Sequence, residues 1–179
     1  MLNKDDSVLI FIDVQRSLAE AMHDKRHLFK NLERMVKGAQ VLDVPILLTE
    51  QLPDKLGGTA EKFKMILESL VVVEKSAFSC CGEPAFVDAF QALGRKQAIL
   101  VGIEAHVCVY QTALDLLADG IEVYVVADAV SSRTAENRDL ALQALREEGA
   151  KIIPTETALF ALQRDAANPG FKDLLKLIK

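Results

Sequence analysis

No apolar run in this chain approaches the roughly 18 residues that a membrane-spanning helix needs. The opening Met1-Leu2-Asn3-Lys4-Asp5-Asp6 has no basic stretch followed by an apolar one, so a secretory leader is not expected either. Positive charge is scarce. Lys and Arg number 21 against 26 Asp and Glu, a net charge of −5, and the bases nowhere cluster. Polyphosphate backbones are held mainly by Lys and Arg, so no nucleic acid is expected as a partner. Cysteine is sparse as well. Cys80, Cys81 and Cys108 are odd in number and two are adjacent, which is no disulfide framework and points to a reducing, cytoplasmic setting. The thiols then serve as core filling, as metal ligands or in chemistry. Also missing are a Gly-x-Gly-x-x-Gly turn after the first apolar run, a Walker loop, a Gly-x-Ser-x-Gly elbow and a Cys-x-x-Cys pair. Nucleotide cofactors, serine hydrolysis and thioredoxin-like redox chemistry lose their usual support.

What is present is an ordinary globular composition: 179 residues, 50 % hydrophobic and 26 % charged. That length suits one domain spanning 1–179, and no linker, repeat or low-complexity segment divides it. Short β-branched runs alternate with stretches of helical period. The runs are Ser7–Asp13, Pro45–Thr49, Val71–Glu74, Gln97–Gly102, Glu122–Ala127 and Lys151–Ile153. Nearly continuous apolar runs fit strands buried on both faces of a parallel sheet. Between them, Leu28, Leu32, Met35, Val36, Ala39 and Leu42 keep one apolar helix face, and Gly94, Gly120 and Gly149 stand where helices should stop. The order argues for an α/β fold with helices on both faces of the sheet. The segment after Asn168-Pro169, with Phe171, Leu174, Leu175 and Ile178, reads as a docking helix or an intersubunit arm.

Ligands of such sheets sit outside the carboxyl ends of the strands, where the strand order switches. Three chemically capable residues fall there. Asp13 closes the first strand, Lys75 follows the third, and Cys108 begins the helix after the fourth. Alone, each has a plain structural explanation: a helix cap, a solvated lysine, a small core residue. Together they offer a nucleophile, a base and a cation. A helix N-terminus and a nearby lysine favour thiolate. Cys108 is therefore expected to react ahead of Cys80 and Cys81, which have no obvious cation.

The segments Ile10-Phe11-Ile12-Asp13-Val14-Gln15, Glu74-Lys75-Ser76-Ala77-Phe78-Ser79 and Gly102-Ile103-Glu104-Ala105-His106-Val107-Cys108-Val109 resemble, in order and spacing, the isochorismatase-like cysteine hydrolases. The resemblance runs from the first strand to about Arg133 and is nearest to the isochorismatase domain-containing branch. Thr49-Glu50-Gln51 and Val126-Ala127-Asp128-Ala129-Val130-Ser131-Ser132-Arg133 carry that finer likeness. It implies a three-layer α/β/α sandwich with a six-stranded, Rossmann-like parallel sheet, and an Asp13–Lys75–Cys108 triad. It also implies a cis peptide between Ile103 and Glu104, and an oxyanion hole made by the amides of Glu104 and Cys108.

The family's nicotinamidases bind a metal through an Asp and histidines after the second strand. Here that stretch reads Thr49-Glu50-Gln51-Leu52-Pro53-Asp54-Lys55, without histidine. His23 and His27, one helical turn apart, read as a solvated helix face. No metal and no cofactor are expected. The reading is a metal-independent hydrolase of a small amide or related carbonyl, working through a Cys108 thioester, with Gln15, Gln51, Phe78, Ile103 and His106 as pocket wall. Its rivals are a scaffold that kept the pocket without a substrate, and a vinyl-ether hydrolase. The expected partners are a small-molecule substrate and further copies of the chain, with no membrane.

Overall fold

A computed structural model describes residues 1–179. Six strands, β1 (Ser7–Ile12), β2 (Ile46–Gln51), β3 (Val72–Lys75), β4 (Gln97–Ile103), β5 (Glu122–Ser131) and β6 (Lys151–Ile153), alternate with nine helices. These are α1 (Arg16–Glu20), α2 (Lys25–Val41), α3 (Pro53–Leu56), α4 (Glu61–Leu67), α5 (Pro84–Leu93), α6 (Tyr110–Ala118), α7 (Ala135–Glu147), α8 (Thr155–Gln163) and α9 (Phe171–Ile178). The strands form one sheet in the order β3-β2-β1-β4-β5-β6, and every pairing is parallel.

Strand periodicity builds the layers. Leu9 and Phe11 of β1 turn to the face covered by α2, α4, α8 and α9, where Leu32, Phe63, Leu159 and Leu174 complete a core. Val8, Ile10 and Ile12 turn to the opposite face, against Phe86, Ala113 and Leu145 of α5, α6 and α7. Every residue of β1 and β4 is buried, as central parallel strands must be. The chain leaves β1 toward β2 and β3, then returns to place β4 on the other side of β1. The switch in strand order therefore lies between β1 and β4, and β1 ends at Asp13 while Cys108 follows β4.

Several boundaries differ from the sequence expectation. β1 stops at Ile12, because Asp13 takes a left-handed conformation, φ 51°. β2 runs on to Gln51, since Glu50 and Gln51 pair with Glu74 and Lys75 of β3. β5 runs on to Ser131 through an irregularity: Leu100 pairs with Val125, but Gly102 pairs with Val130. The extra residues include Asp128, whose Oδ1 accepts from Thr155 N at 2.7 Å and Oγ1 at 2.8 Å at the start of α8. The C-terminal segment is a docking helix. Leu174 is fully buried, Phe171 packs its ring 6.3 Å from that of Phe160, and Arg34 donates to Leu177 O at 3.0 Å and Ile178 O at 2.6 Å. Its apolar face covers the chain's own core, so it offers no free arm for a second copy.

One glycine sets the approach of the two central strands. Gly102 has φ +118°, and a Cβ there would stand 2.1 Å from the Ile12 carbonyl oxygen. That contact is with backbone, which cannot rotate away. Gly102→Ala should destabilise the protein by several kcal/mol, combining ~1–3 from overpacking with ~1–3 from a disfavoured conformation. Gly94→Ala, at φ +61° with nothing within 4 Å, should lose only the conformational part. Urea unfolding of both variants checks this, and equal losses would show that strand spacing does not matter at Gly102.

Candidate active site

Asp13 begins the site because of where β1 stops. Its amide still reaches Thr49 O at 3.2 Å, but its left-handed backbone swings the side chain across the carboxyl ends of the strands. Lys75 arrives by alternation on the edge strand: Val73 and Lys75 point inward, Val72 and Glu74 outward. The two side chains are completely buried, with Nζ 2.6 Å from Asp13 Oδ2. A lysine ammonium has three protons to donate. Here they go to Gln51 Oε1 at 2.7 Å, Phe78 O at 3.0 Å and Ala77 O at 3.1 Å. The ammonium also lies against Asp13 Oδ2, so this oxygen is held by the ion pair. Oδ1 is occupied by the Thr49 hydroxyl, which donates at 2.7 Å.

Cys108 lies in a single π-turn, Ala105–Val109, that leads from β4 into α6, and only 6 % of its surface is exposed. Burial pushes its thiol up to about 12, with the charge of Asp13 adding to the rise, Lys75 opposing it, and contact with the Asp13 carboxylate raising it further. This corrects the expectation of a resting thiolate: loss of water and the adjacent carboxylate outweigh the lysine. Cys80 is fully buried and likewise pushed up to about 12, first by burial and then by Asp13. Half-buried Cys81 rises to about 11, again through burial first. All three thiols are therefore raised, each by burial first.

The Ile103–Glu104 peptide bond is cis, and Glu104 starts the π-turn. Glu104 Oε2 accepts from Arg133 Nε at 3.1 Å and lies 3.9 Å from His106 Nδ1, which is 2.9 Å from Ser132 Oγ. His106 therefore faces the ends of β4 and β5. The residues named as pocket wall divide in role. Gln15 is fully buried, its Nε2 donating to Gln51 O at 3.0 Å and Gly57 O at 2.6 Å, its Oε1 accepting from Gln51 N at 2.7 Å. Gln51 spends its amide on Lys75 and on Ser76 O at 2.7 Å. Both glutamines brace the site and have little left for a ligand. Ile103 turns its side chain into the hydrophobic core, so only its backbone reaches the site. Phe78 is 55 % exposed and contributes its carbonyl to Lys75.

Sequence reasoning missed Thr49 and Cys80. A threonine ending an otherwise apolar buried run was the available signal, because a buried hydroxyl needs a partner. No group of three or more His, Cys, Asp or Glu side chains is arranged to hold a metal ion. No helix is long and apolar enough to cross a membrane.

The raised thiols make a stability statement. Between pH 9 and 10 an unfolded chain begins to release thiol protons that the folded one keeps, so unfolding is favoured as pH rises. Each such thiol costs up to about 1.4 kcal/mol per pH unit. The urea midpoint should fall from pH 9 to pH 10, and Cys80→Val should flatten the fall. A flat profile in the parent protein would contradict the burial argument.

Known proteins share the sequence pattern and the fold of this chain. The isochorismatase domain model matches residues 7–157. A secreted isochorismatase effector of Phytophthora sojae is 40 % identical over 177 residues, 97 % of this chain and 84 % of its own. Mouse isochorismatase domain-containing protein 2A is 38 % identical over 176 residues, 98 % of this chain and 84 % of its own. A solved Caenorhabditis elegans structure, described as MAR1 ribonuclease, superposes with a TM-score of 0.93 at 36 % identity, covering 99 % of this chain and 91 % of that one. Escherichia coli YcaC, described as an octameric hydrolase of unknown specificity, shares the fold with a TM-score of 0.92 at 24 % identity, covering 98 % and 89 %. On the matched domain and on identities that extend over nearly its whole length, the chain belongs to the isochorismatase family.

Proposed function

We propose that this protein is a cysteine hydrolase that cleaves a small amide or related carbonyl, with Asp13, Lys75 and Cys108 as its catalytic residues within one domain spanning 1–179. The observation that carries the reading is the buried 2.6 Å Lys75–Asp13 pair with the buried Cys108 thiol in contact with its carboxylate. An ion pair removed from water costs more than it returns unless it has a task or full compensation, and a carboxylate in contact with a thiol can take its proton.

The resting nucleophile is a neutral thiol. As Sγ bonds to the substrate carbonyl carbon, its proton passes to the Asp13 carboxylate. The developing oxyanion is received by the backbone amides of Glu104 and Cys108. Asp13 then hands its proton to the leaving amine as the C–N bond breaks, leaving a thioester. Water attacks that thioester, giving its proton to Asp13 and releasing the acid, and the proton returns to sulfur. Lys75 keeps one positive charge beside Asp13 throughout, so the carboxylate is ionised when each attack begins. No step calls on a metal.

The ribonuclease activity ascribed to the Caenorhabditis elegans relative fits this chain less well, since a net charge of −5 opposes a phosphate backbone. The cytoplasmic setting rests on the three unpaired cysteines. Association with further copies rests on exposed apolar side chains: Met65, Val71 and Val72 at or near edge strand β3, and Phe78 at the carboxyl end of the sheet.

Three measurements check the reading. The purified protein, given a panel of small primary amides and p-nitrophenyl acetate, should release product, and Cys108→Ala should lower the rate by a factor of about 100 or more. A parent protein inert to the whole panel would favour the scaffold alternative. Activity should survive exhaustive chelation, and loss restored by one added metal would show a ligand set that the second-strand loop does not reveal. Light scattering should give a multiple of the chain mass, and a monomer across a wide dilution range would remove the association.

A further inference from the structure

Asp13 has two carboxylate oxygens, and the chemistry above needs its carboxylate held in one orientation toward Cys108. We propose that Thr49, backed by Cys80, is the positioning residue that fixes this orientation, holding Oδ1 while Lys75 holds Oδ2. The inference rests on the reading of Asp13 as the base and adds two residues to it.

Thr49 is fully buried on β2, directly opposite Ile12, the residue before Asp13. Its carbonyl accepts from the Asp13 amide, and its hydroxyl donates to Oδ1 at 2.7 Å. Backbone and side chain of one residue therefore hold backbone and side chain of the other. A hydroxyl has a single hydrogen, so the one given to Asp13 must be kept from other acceptors. Cys80 supplies that restraint: its thiol, 3.9 Å from Thr49 Oγ1, donates to it. Burial and the charge of Asp13 keep Cys80 protonated, hence a donor, across the working range. The hydrogen-bond direction is thereby fixed from thiol to hydroxyl to carboxylate.

The same chain of contacts reaches the helix that follows Cys108. Cys80 N donates to Thr112 Oγ1 at 2.9 Å, and Thr112 stands on α6, four residues after Cys108. The polar groups around Asp13 are then accounted for from each packed element. β2 gives Thr49, β3 gives Lys75, the π-turn gives Cys108, and the short turn Cys80–Gly82 gives Cys80 through Thr49. Only Thr49 donates a hydrogen bond to the carboxylate from a rigid central strand. This assigns to Cys80 a use other than nucleophile or metal ligand.

Deacylation exposes the effect most clearly. There, the oxygen of water bonds to the thioester carbon while its proton moves to the Asp13 carboxylate; the C–S bond then breaks and the proton passes to the departing sulfur. A carboxylate free to rotate is misaimed for part of the time.

p-Nitrophenyl acetate is the probe, with p-nitrophenolate followed by absorbance and acetyl-Cys108 by intact mass. Thr49→Val keeps the shape and removes the donor; it should slow deacylation about tenfold, from the loss of one hydrogen bond to a charged group, so that acetyl-enzyme accumulates. Thr49→Ser should restore the rate to within about threefold, and the acid limb of the pH–rate profile should lie higher in Thr49→Val than in Thr49→Ser. Cys80→Ala should give a smaller slowing that Cys80→Ser reverses, and this pair decides the matter if Thr49→Val does not fold. Parent-like deacylation in Thr49→Val, or in the Cys80→Ala arm when it must stand alone, overturns the inference, as does a Thr49→Ser protein as slow as Thr49→Val. Asp13→Asn separates the two readings. If it fails to form acetyl-enzyme, or traps it, while Thr49→Val keeps the parent rate, the base stands and the positioning residue falls. If Asp13→Asn turns over at the parent rate, or the parent never forms acetyl-Cys108, both fall.

Discussion

The buried pairing of Lys75 with Asp13 is the constraint around which the rest of the site is arranged. Two ions held 2.6 Å apart with no exposed side-chain surface have lost their hydration, and their mutual attraction seldom repays that loss alone. The protein compensates with fixed dipoles. Gln51 Oε1 and the carbonyls of Ala77 and Phe78 take the three ammonium protons, and Thr49 serves one carboxylate oxygen. Gln15 in turn holds Gln51, through its backbone amide and carbonyl. The polar residues near the carboxyl ends of β1, β2 and β3 are thus largely explained by the need to keep one ion pair dry and satisfied. The carboxylate held in this way is in contact with the Cys108 thiol.

That arrangement depends in turn on how closely β1 and β4 approach. Gly102 lets the strand that leads to Cys108 lie against Ile12 without a side chain between them. The left-handed turn at Asp13 and the π-turn at Cys108 then bring carboxylate and thiol together over the switch point. A parallel sheet leaves backbone groups and side chains pointing out of its carboxyl edge. Here that edge carries a thiol, a carboxylate and an ammonium, each from a different strand end. Burial makes the thiol hard to ionise, and for that reason the mechanism proposed above moves its proton during attack.

Much of this was legible in the chain itself. The β-branched runs marked all six strands, because strands buried on both faces cannot alternate with polar residues. Asp13, Lys75 and Cys108 could be placed at one edge because each follows such a run. Other features were not legible. Gln15 and Gln51 read as ligand contacts, yet the Gln15 amide is consumed by backbone groups 36 and 42 residues away in sequence, and that of Gln51 by Lys75 Nζ and the Ser76 carbonyl, 24 and 25 residues away. Phe171 to Ile178 read equally as arm or docking helix, since an amphipathic segment does not state whose core it covers. Ile103 read as wall but faces the core, because orientation at a strand end depends on register.

By itself, the sequence determined the strand–helix order, the parallel sheet, the family and the chemical types available at the carboxyl edge. Those are local or periodic properties, written in apolar spacing and in motifs of adjacent residues. The tertiary structure alone decided the burial that raises the thiols, the contacts that hold both oxygens of Asp13, and the placing of Thr49 and Cys80 beside it. Each of these depends on how much water is excluded and on which charge lies within a few ångströms. Such quantities arise only when residues distant in the chain are packed together, and no window of sequence contains them.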